Sequence, residues 1–461
     1  MKFPADFKKK YTNLLGDDAP SFFAGLQTEA VKAFRVNPLK EDYENIGYPL
    51  DYPVSYAPTG FYGSVSGKSL EHQTGYVYSQ EPSAMYVAEV GNVKPGEIIL
   101  DLCAAPGGKS TQIAAKLAGK GLLVSNEINR KRAGILAENI ERVGPTNVVI
   151  LNESPQGMAR KITNYFDKIF VDAPCSGEGM FRKDPAAIKY WHKDYPAECA
   201  VRQKEILTEA MKMLKPGGQL IYSTCTFAPE EDEQIIEWLV ENYELALVPV
   251  QKYEGMDSGF SRLAGNNKEV EKAVRLFPHH FRGEGHFIAK LQDKRETINV
   301  CSNIKEKKKK EKTNSVFRSL SKEEEKLWKD FESKVFRQQL FILDDLRCWG
   351  DQLFYYPSNW PNIQDLKFIK PGFQVGIFKK KRFEPAYGLA LAIKSTNVQQ
   401  IIDVTIAEWE NYVSGNIITL VGKLPPNGWY ALRCNGKVFG FAKSVNGTLK
   451  NFFPKGLRFT I

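Results

Sequence analysis

Residues 97–117 read EIILDLCAAPGGKSTQIAAKL. The apolar run Glu97–Asp101 ends in an acid, a turn of small residues follows, and Ser110–Leu117 has helical apolar spacing. A strand that passes through a glycine turn into a helix is the first half of a strand–helix–strand unit. Gly107 and Gly108 let a ligand approach the backbone, and the helix behind them presents free N–H groups. A phosphate-binding P-loop needs glycine five positions before its Gly-Lys-Ser, and Cys103 stands there. The dinucleotide GxGxxG pattern is absent as well. The turn therefore takes a different adenosyl ligand or is purely structural. Glu127, at the end of the next strand in VSNEINR, can accept hydrogen bonds from both ribose hydroxyls. It can equally be an acid that a helix N-terminus favours. Loop and acid together point to a nucleoside cofactor.

Working outward, the alternation continues from about 75 to 292. Further strands are expected at Leu122–Ser125, Val148–Leu151, Lys168–Asp172, Gln219–Ser223 and Gly285–Leu291. Helices are expected through Arg132–Ile140, over Arg202–Leu214 with Pro216-Gly217-Gly218 as the stop, and over Glu230–Glu241. This pattern predicts an α/β, Rossmann-like domain over 75–295 whose parallel sheet is covered on both faces. Its ligands belong at the C-terminal strand ends. A small α+β unit, 1–74, precedes it, with Phe3, Phe7, Tyr11, Phe22, Phe23 and Phe34 read as a helical core. Lys8, Lys9 and Lys10 either touch phosphate or solvate a helix end. After the Rossmann-like domain come a lysine-rich linker, 296–316, holding Lys305–Lys312, and a first C-terminal domain, 317–395, helical over Glu323–Leu340. A β-rich unit, 396–461, closes the chain, with turns at Pro425–Gly428, Asn435-Gly436 and Asn446-Gly447.

Composition narrows the class. A chain of 461 residues with 43% hydrophobic content is folded and multi-domain. No stretch is apolar for the length of a membrane span, and Met1–Tyr11 lacks a signal-peptide core, so the reading is cytoplasmic with no membrane partner. Seven cysteines with no CxxC pair and no Cys/His cluster at zinc spacing give no metal expectation. A formal charge of +9 favours a polyanionic partner.

Two cysteines stand apart. Asp172-Ala-Pro-Cys175-Ser-Gly-Glu-Gly follows the fourth strand, and Ser223-Thr-Cys225-Thr-Phe ends the fifth. If those strands are neighbours, both thiols reach one substrate; otherwise they are a chance pair of core thiols. A free thiol has a pKa of about 8.5, so attack needs a shifted pKa or a local base.

Three stretches, DLCAAPGGKST (101–111), FVDAPCSGEGMFRKDP (170–185) and YSTCTFAPEEDE (222–233), resemble the strongest motifs of Sun/Fmu-type RNA cytosine-5 methyltransferases. RLFPHHFRGEGHFIAKL (275–291) is similar to that family's closing strand pair, and the flanking units resemble its RsmF-like bacterial branch. Gly428-Trp-Tyr and Pro454-Lys-Gly liken 396–461 to a small, PUA-like β-barrel RNA-binding domain. The resemblance implies that Cys225 is the nucleophile, that Cys175 promotes product release and that Asp172 holds the cytosine edge. It implies that Cys103, Ala104, Ala105, Pro106, Gly107, Gly108, Lys109, Glu127 and Asp172 surround S-adenosyl-L-methionine. Glu153, or its neighbour Ser154, takes the adenine side.

Such chemistry is physically coherent. Thiolate addition at carbon 6 makes carbon 5 nucleophilic enough to take an electrophilic methyl group. A donor near the ring nitrogen stabilises the developing charge, and Asp172 donates only if its pKa is raised. The target base must leave its stack, which favours single-stranded RNA. Lys379, Lys380, Lys381 and Arg382, between Phe378 and Phe383, are candidate RNA contacts. The expected activity is cytosine-5 methylation of ribosomal RNA, within the small ribosomal subunit, by a monomer. Transfer RNA as substrate and a non-catalytic ribosome assembly factor are the alternatives. An enzyme for exocyclic amines would carry an Asn/Asp-Pro-Pro-aromatic loop where this chain has Asp172-Ala-Pro-Cys175.

Overall fold

The computed structural model describes residues 2–296, 317–357, 359–360, 365–419 and 425–461. The expected linker beyond residue 296, with Lys305–Lys312, lies outside the described residues.

The N-terminal helices Ala5–Leu15 and Ala19–Gly25 bury Phe7, Tyr11 and Phe22 completely. These rings pack on Phe181, Trp191, Phe227 and Phe277 of the following domain. The helices therefore have no core of their own and are docked by shared aromatic area. Phe34 departs from the expected helical core. It lies on β1 (Ala33–Val36), which pairs with β2 (Gly60–Tyr62) and β3 (Val77–Ser79). Cross-strand pairing with Phe61, ring centroids 6.0 Å apart, gives Phe34 its burial.

The next domain is built on β4 (Ile98–Asp101), β5 (Leu122–Asn126), β6 (Val148–Leu151), β7 (Phe166–Asp172) and β8 (Leu214–Thr224). These five run parallel in the order β6-β5-β4-β7-β8. Leu122–Asn126 is buried at every position, as helices on both faces require. The chain leaves β4 to one side and returns to the other at β7, so the crevice opens at the C-terminal ends of β4 and β7.

The wholly parallel sheet expected from the sequence is mixed. β9 (Leu245–Val248), β10 (Met256–Ser258), β11 (Val274–Leu276) and β12 (His286–Asp293) extend it antiparallel beyond β8. The short connections around Phe277–Gly285 leave no room for a crossover helix, so these strands turn back. Pro216-Gly217-Gly218 is not the stop of the preceding helix either. Helix Tyr195–Met213 passes directly into β8, and the Pro-Gly-Gly lies within that strand, near where the register with β7 shifts.

The C-terminal portion contributes β13 (Phe317–Arg318), helix Lys322–Val335, β14 (Leu346–Trp349), β15 (Gln352–Tyr355), β16 (Phe368–Lys370), β17 (Phe373–Lys379) and β18 (Arg382–Pro385). The helix starts at a Ser321/Glu324 capping box and stops at Val335, short of the expected Leu340, because Phe336 is extended. β13, β14, β15, β17 and β18 form their own sheet, whereas β16 joins β6 of the central mixed sheet. Phe378 and Phe383 are buried, with Phe383 edge-on to Trp328. They are core residues and offer no ring to a nucleobase, contrary to the interleaved reading. The last unit is a second five-stranded sheet with one parallel pair. Its hairpins turn at Asn435-Gly436 and Asn446-Gly447, all four residues at positive φ, as primed turns demand.

Candidate active site

Three strand ends supply the floor of the crevice. At β4, Asp101 is fully buried and accepts a hydrogen bond from Ser110 Oγ at 2.6 Å. Its Oδ1 has no partner among the described residues. Burial pushes its pKa up to about 7.

The loop above, Cys103–Lys109, is held from several sides. Ala104 N–H donates to Asn126 O, Arg132 donates to Ala105 O, and Asn139 donates to Pro106 O. Gly107 has φ +114°, a region closed to residues with a Cβ. Arg35, buried on β1, donates to Gly108 O at 2.9 Å, so the N-terminal unit braces the start of helix Gly108–Leu117. Cys103 is half-buried, Ala104 and Ala105 are buried, and Pro106 faces solvent.

Glu127, just past β5, is buried. Its Oε1 accepts from Asn129 N–H, and Oε2 lies 3.4 Å from Arg132. Asn129, not Glu127, caps helix Arg130–Val143. Past β6, Ser154 is occupied as the cap of helix Pro155–Ala159, which leaves Glu153 as the carboxylate at that position. Glu153 accepts from Ser154 N–H at 2.9 Å and sits 3.8 Å from Lys367.

β7 and β8 are neighbours, and their register sets Asp172 opposite Ser223. Asp172 Oδ2 lies 2.6 Å from Lys109 Nζ, and Oδ1 accepts from Ser223 Oγ at 2.8 Å. Burial alone would raise the Asp172 pKa, but Lys109 and His286 hold it below the ordinary carboxylate value. The condition under which Asp172 could itself donate, a raised pKa, is not met by its surroundings here, which favour the carboxylate. Burial likewise works against the Lys109 charge, yet Asp172 lifts its pKa above normal. The charged N–H group at this edge is the Lys109 ammonium.

Immediately beyond, Cys175 Sγ and Cys225 Sγ are 3.2 Å apart, and Cys225 N–H points at Cys175 Sγ. Both residues are part-exposed. The hydrogen bond with Cys225, then burial, pushes the Cys175 thiol well up.

Residues that the sequence reading passes over fix these loops. Glu231 accepts from Ser176 N–H and Gln203 Nε2, and burial pushes it up to about 7. Glu178 accepts from Trp191 Nε1, Thr226 Oγ1 and the Tyr11 hydroxyl of the first helix. Arg275 pairs with Asp232 and Glu233 in full burial. Their only sequence signal is that Glu178, Glu231, Asp232 and Glu233 stand inside the two cysteine motifs. Of Lys8, Lys9 and Lys10, the last pairs with Glu230 at 2.9 Å.

Comparison with known proteins places this geometry. Residues 88–292 match the model of 16S rRNA methyltransferase RsmB/F. Residues 3–82 match the N-terminal domain of 16S rRNA methyltransferase RsmF, 330–393 the first C-terminal domain of RsmF rRNA methyltransferase, and 399–459 the methyltransferase RsmF PUA domain. Ribosomal RNA small subunit methyltransferase F of Vibrio atlanticus is 30% identical, over 95% of this chain and 94% of that protein. Its namesake from Shewanella piezotolerans is 28% identical, with 98% of each covered. Among solved structures, a methyltransferase homolog protein from Pyrococcus horikoshii shares 31% identity at a TM-score of 0.54, covering 62% of this chain and 94% of that one. NSun6 from the same organism, solved with SFG, has the same fold at 23% identity and a TM-score of 0.56, covering 64% and 99%. With matched units from residue 3 to 459 and relatives aligned along nearly the whole length, the chain belongs to the S-adenosylmethionine-dependent ribosomal RNA small subunit methyltransferase F family.

Proposed function

We propose that the protein methylates carbon 5 of a cytosine in small-subunit ribosomal RNA through a transient bond between Cys225 Sγ and carbon 6. The observation that carries this reading is the pair of sulfur atoms 3.2 Å apart beside the Lys109–Asp172 ion pair. Two thiols and an acid–base pair converging on one crevice serve a reaction that makes and then breaks a carbon–sulfur bond.

The crevice suits S-adenosylmethionine. Gly107 keeps the loop free of side chain, Glu127 is an acid at the ribose end, and Asp101 holds a buried oxygen without a partner among the described residues. Cys103–Lys109 cradle it, with Glu153 on the adenine side. When bound, the cofactor supplies a methyl group on a sulfonium, an electrophile.

The protein's own groups do the rest. Of the two thiols, Cys225, at the end of β8 with its N–H aimed at Cys175 Sγ, is the one we assign as the nucleophile, as the motif resemblance implies. Cys225 adds at carbon 6, and electron density moves towards the ring nitrogen N3, where the Lys109 ammonium stands to donate. Asp172, ionised, accepts from the exocyclic amine and keeps Lys109 charged. Once carbon 5 carries the methyl group, N3 returns its proton to Lys109 and the remaining proton on carbon 5 leaves to water. The electron pair of that C–H bond forms the C5–C6 double bond, and the C6–S bond breaks. Cys175, in contact with the departing sulfur, assists this last step.

The relatives are named for small-subunit ribosomal RNA, and the PUA match supports an RNA-holding role for the last unit. No helix among the described residues is long and apolar enough to cross a membrane.

The test is a pair of variants. Cys225→Ala binds cofactor and transfers no methyl group. Cys175→Ala accumulates an RNA adduct that survives denaturant. Full transfer by Cys225→Ala ends the proposal. Methyl incorporation into purified small subunits, set against bulk transfer RNA, decides the substrate.

A further inference from the structure

One cluster of ligand-type side chains takes no part in the chemistry above. Asp18 stands at the junction of the two N-terminal helices, and His279 and His280 lie in the connection between β11 and β12. Nε2 of each histidine is 3.0 Å from Asp18 Oδ2. The three atoms lie within 4.8 Å of one another. We propose that Asp18, His279 and His280 bind a divalent transition-metal ion of the zinc or cobalt type, which clamps the N-terminal helices to the catalytic domain.

The separations fit an ion. Bonds of the usual length to nitrogen and oxygen set the edges of a tetrahedron at about 3.3 Å. Two imidazole nitrogens with one carboxylate oxygen form a donor set suited to borderline cations and not to calcium or magnesium. Asp18 and His280 are part-exposed, so water completes the coordination.

A second observation points the same way. Asp257 Oδ2 lies 2.8 Å from His280 Nδ1, the nitrogen opposite the proposed ligand atom. A carboxylate behind a histidine fixes the tautomer that leaves Nε2 free to ligate, a support common at metal histidines; His280 has it, whereas His279 Nδ1 has no partner among the described residues. The ligands are also built in. A side chain at Gly25 would meet the His279 backbone at 3.1 Å, and one at Gly255 would meet His280 O at 2.3 Å, so both histidines sit on closely packed backbone. The plainer reading is an aspartate hydrogen-bonded to two histidines, and it predicts no affinity for metal.

The full chain, stripped with chelator and dialysed, is titrated with cobalt(II) and followed by visible absorption, with zinc(II) calorimetry alongside. The expected result is saturation at about one ion per chain with tetrahedral bands. Asp18→Asn and His280→Asn weaken it at least ~100-fold, and Asp257→Asn weakens it ~10–100-fold. The Cys175→Ser/Cys225→Ser double variant binds as before, with an unchanged cobalt spectrum. Zinc raises the melting temperature of the wild type and not of Asp18→Asn, whose circular dichroism verifies its fold. Absence of saturable binding overturns the proposal. So does binding that persists in both Asp18→Asn and His280→Asn, or that vanishes with the two cysteines.

Discussion

Lys109 and Asp172 depend on each other: each is part-buried and each keeps the other ionised. Lys109→Met therefore removes the donor and leaves a part-buried carboxylate with Ser223 but without its cation. Single-turnover methylation should fall ~100-fold or more, the scale of losing one charged donor at a reacting centre. An unchanged rate would place the donor elsewhere. Glu231 makes a different prediction. Its pKa is raised from 4.5 to about 7 in the folded chain. Below the ordinary value both folded and unfolded forms hold the proton, and nothing is lost. Between 4.5 and 7 only the folded form holds it, so stability falls as pH rises, and the loss is complete above 7. Its ceiling is on the order of 3 kcal/mol. Urea melts of wild type and Glu231→Gln at pH 5 and pH 8 should show the variant gaining on the wild type at the higher pH.

At the scale of elements, the N-terminal helices act through the aromatic cluster behind the catalytic loops. Phe7 is fully buried there, against Phe181 and Trp191. Phe7→Ala should cost ~3–5 kcal/mol in denaturant melts, a cavity effect. Tyr11→Phe should be gentler on the fold but should lower the turnover rate, because it removes one donor from Glu178, whose backbone neighbour Gly179 bonds to Cys225 O. The central strands are legible in the sequence because short apolar runs, each closed by a turn, have few other homes. The cysteines and Asp172 are legible because strand ends carry chemistry in such sheets. Partnership is not legible. Nothing in Phe34 or its neighbours tells a strand partner from a helix face, and nothing in Phe368–Lys370 names β6 as its mate. The ionisation of Asp172 escapes a sequence reading for the same reason: burial is visible in an apolar run, whereas a lysine 63 positions away is not.

For the whole molecule, charge and connectivity decide the behaviour. Lys379, Lys380 and Lys381 form an exposed turn whose flanking aromatics face inward, which suits phosphate contact without base reading. Replacing all three with glutamine should weaken RNA binding alike for every sequence. The salt dependence should drop by about one counterion for each lysine that no longer meets a phosphate. Methyl transfer at saturating RNA should be unaffected. The other whole-molecule feature is the strand Phe368–Lys370, which bonds to β6 at the rim of the catalytic sheet, with Trp360 and Leu366 packed on the same core. A chain ended at residue 296 would retain every reacting group yet leave the β6 ladder open and greasy. Such a fragment should stick to copies of itself, visible as concentration-dependent light scattering. On that expectation the extension guards the flank of the domain it follows, because the same short strand that closes the β6 ladder also seals the apolar rim beside it.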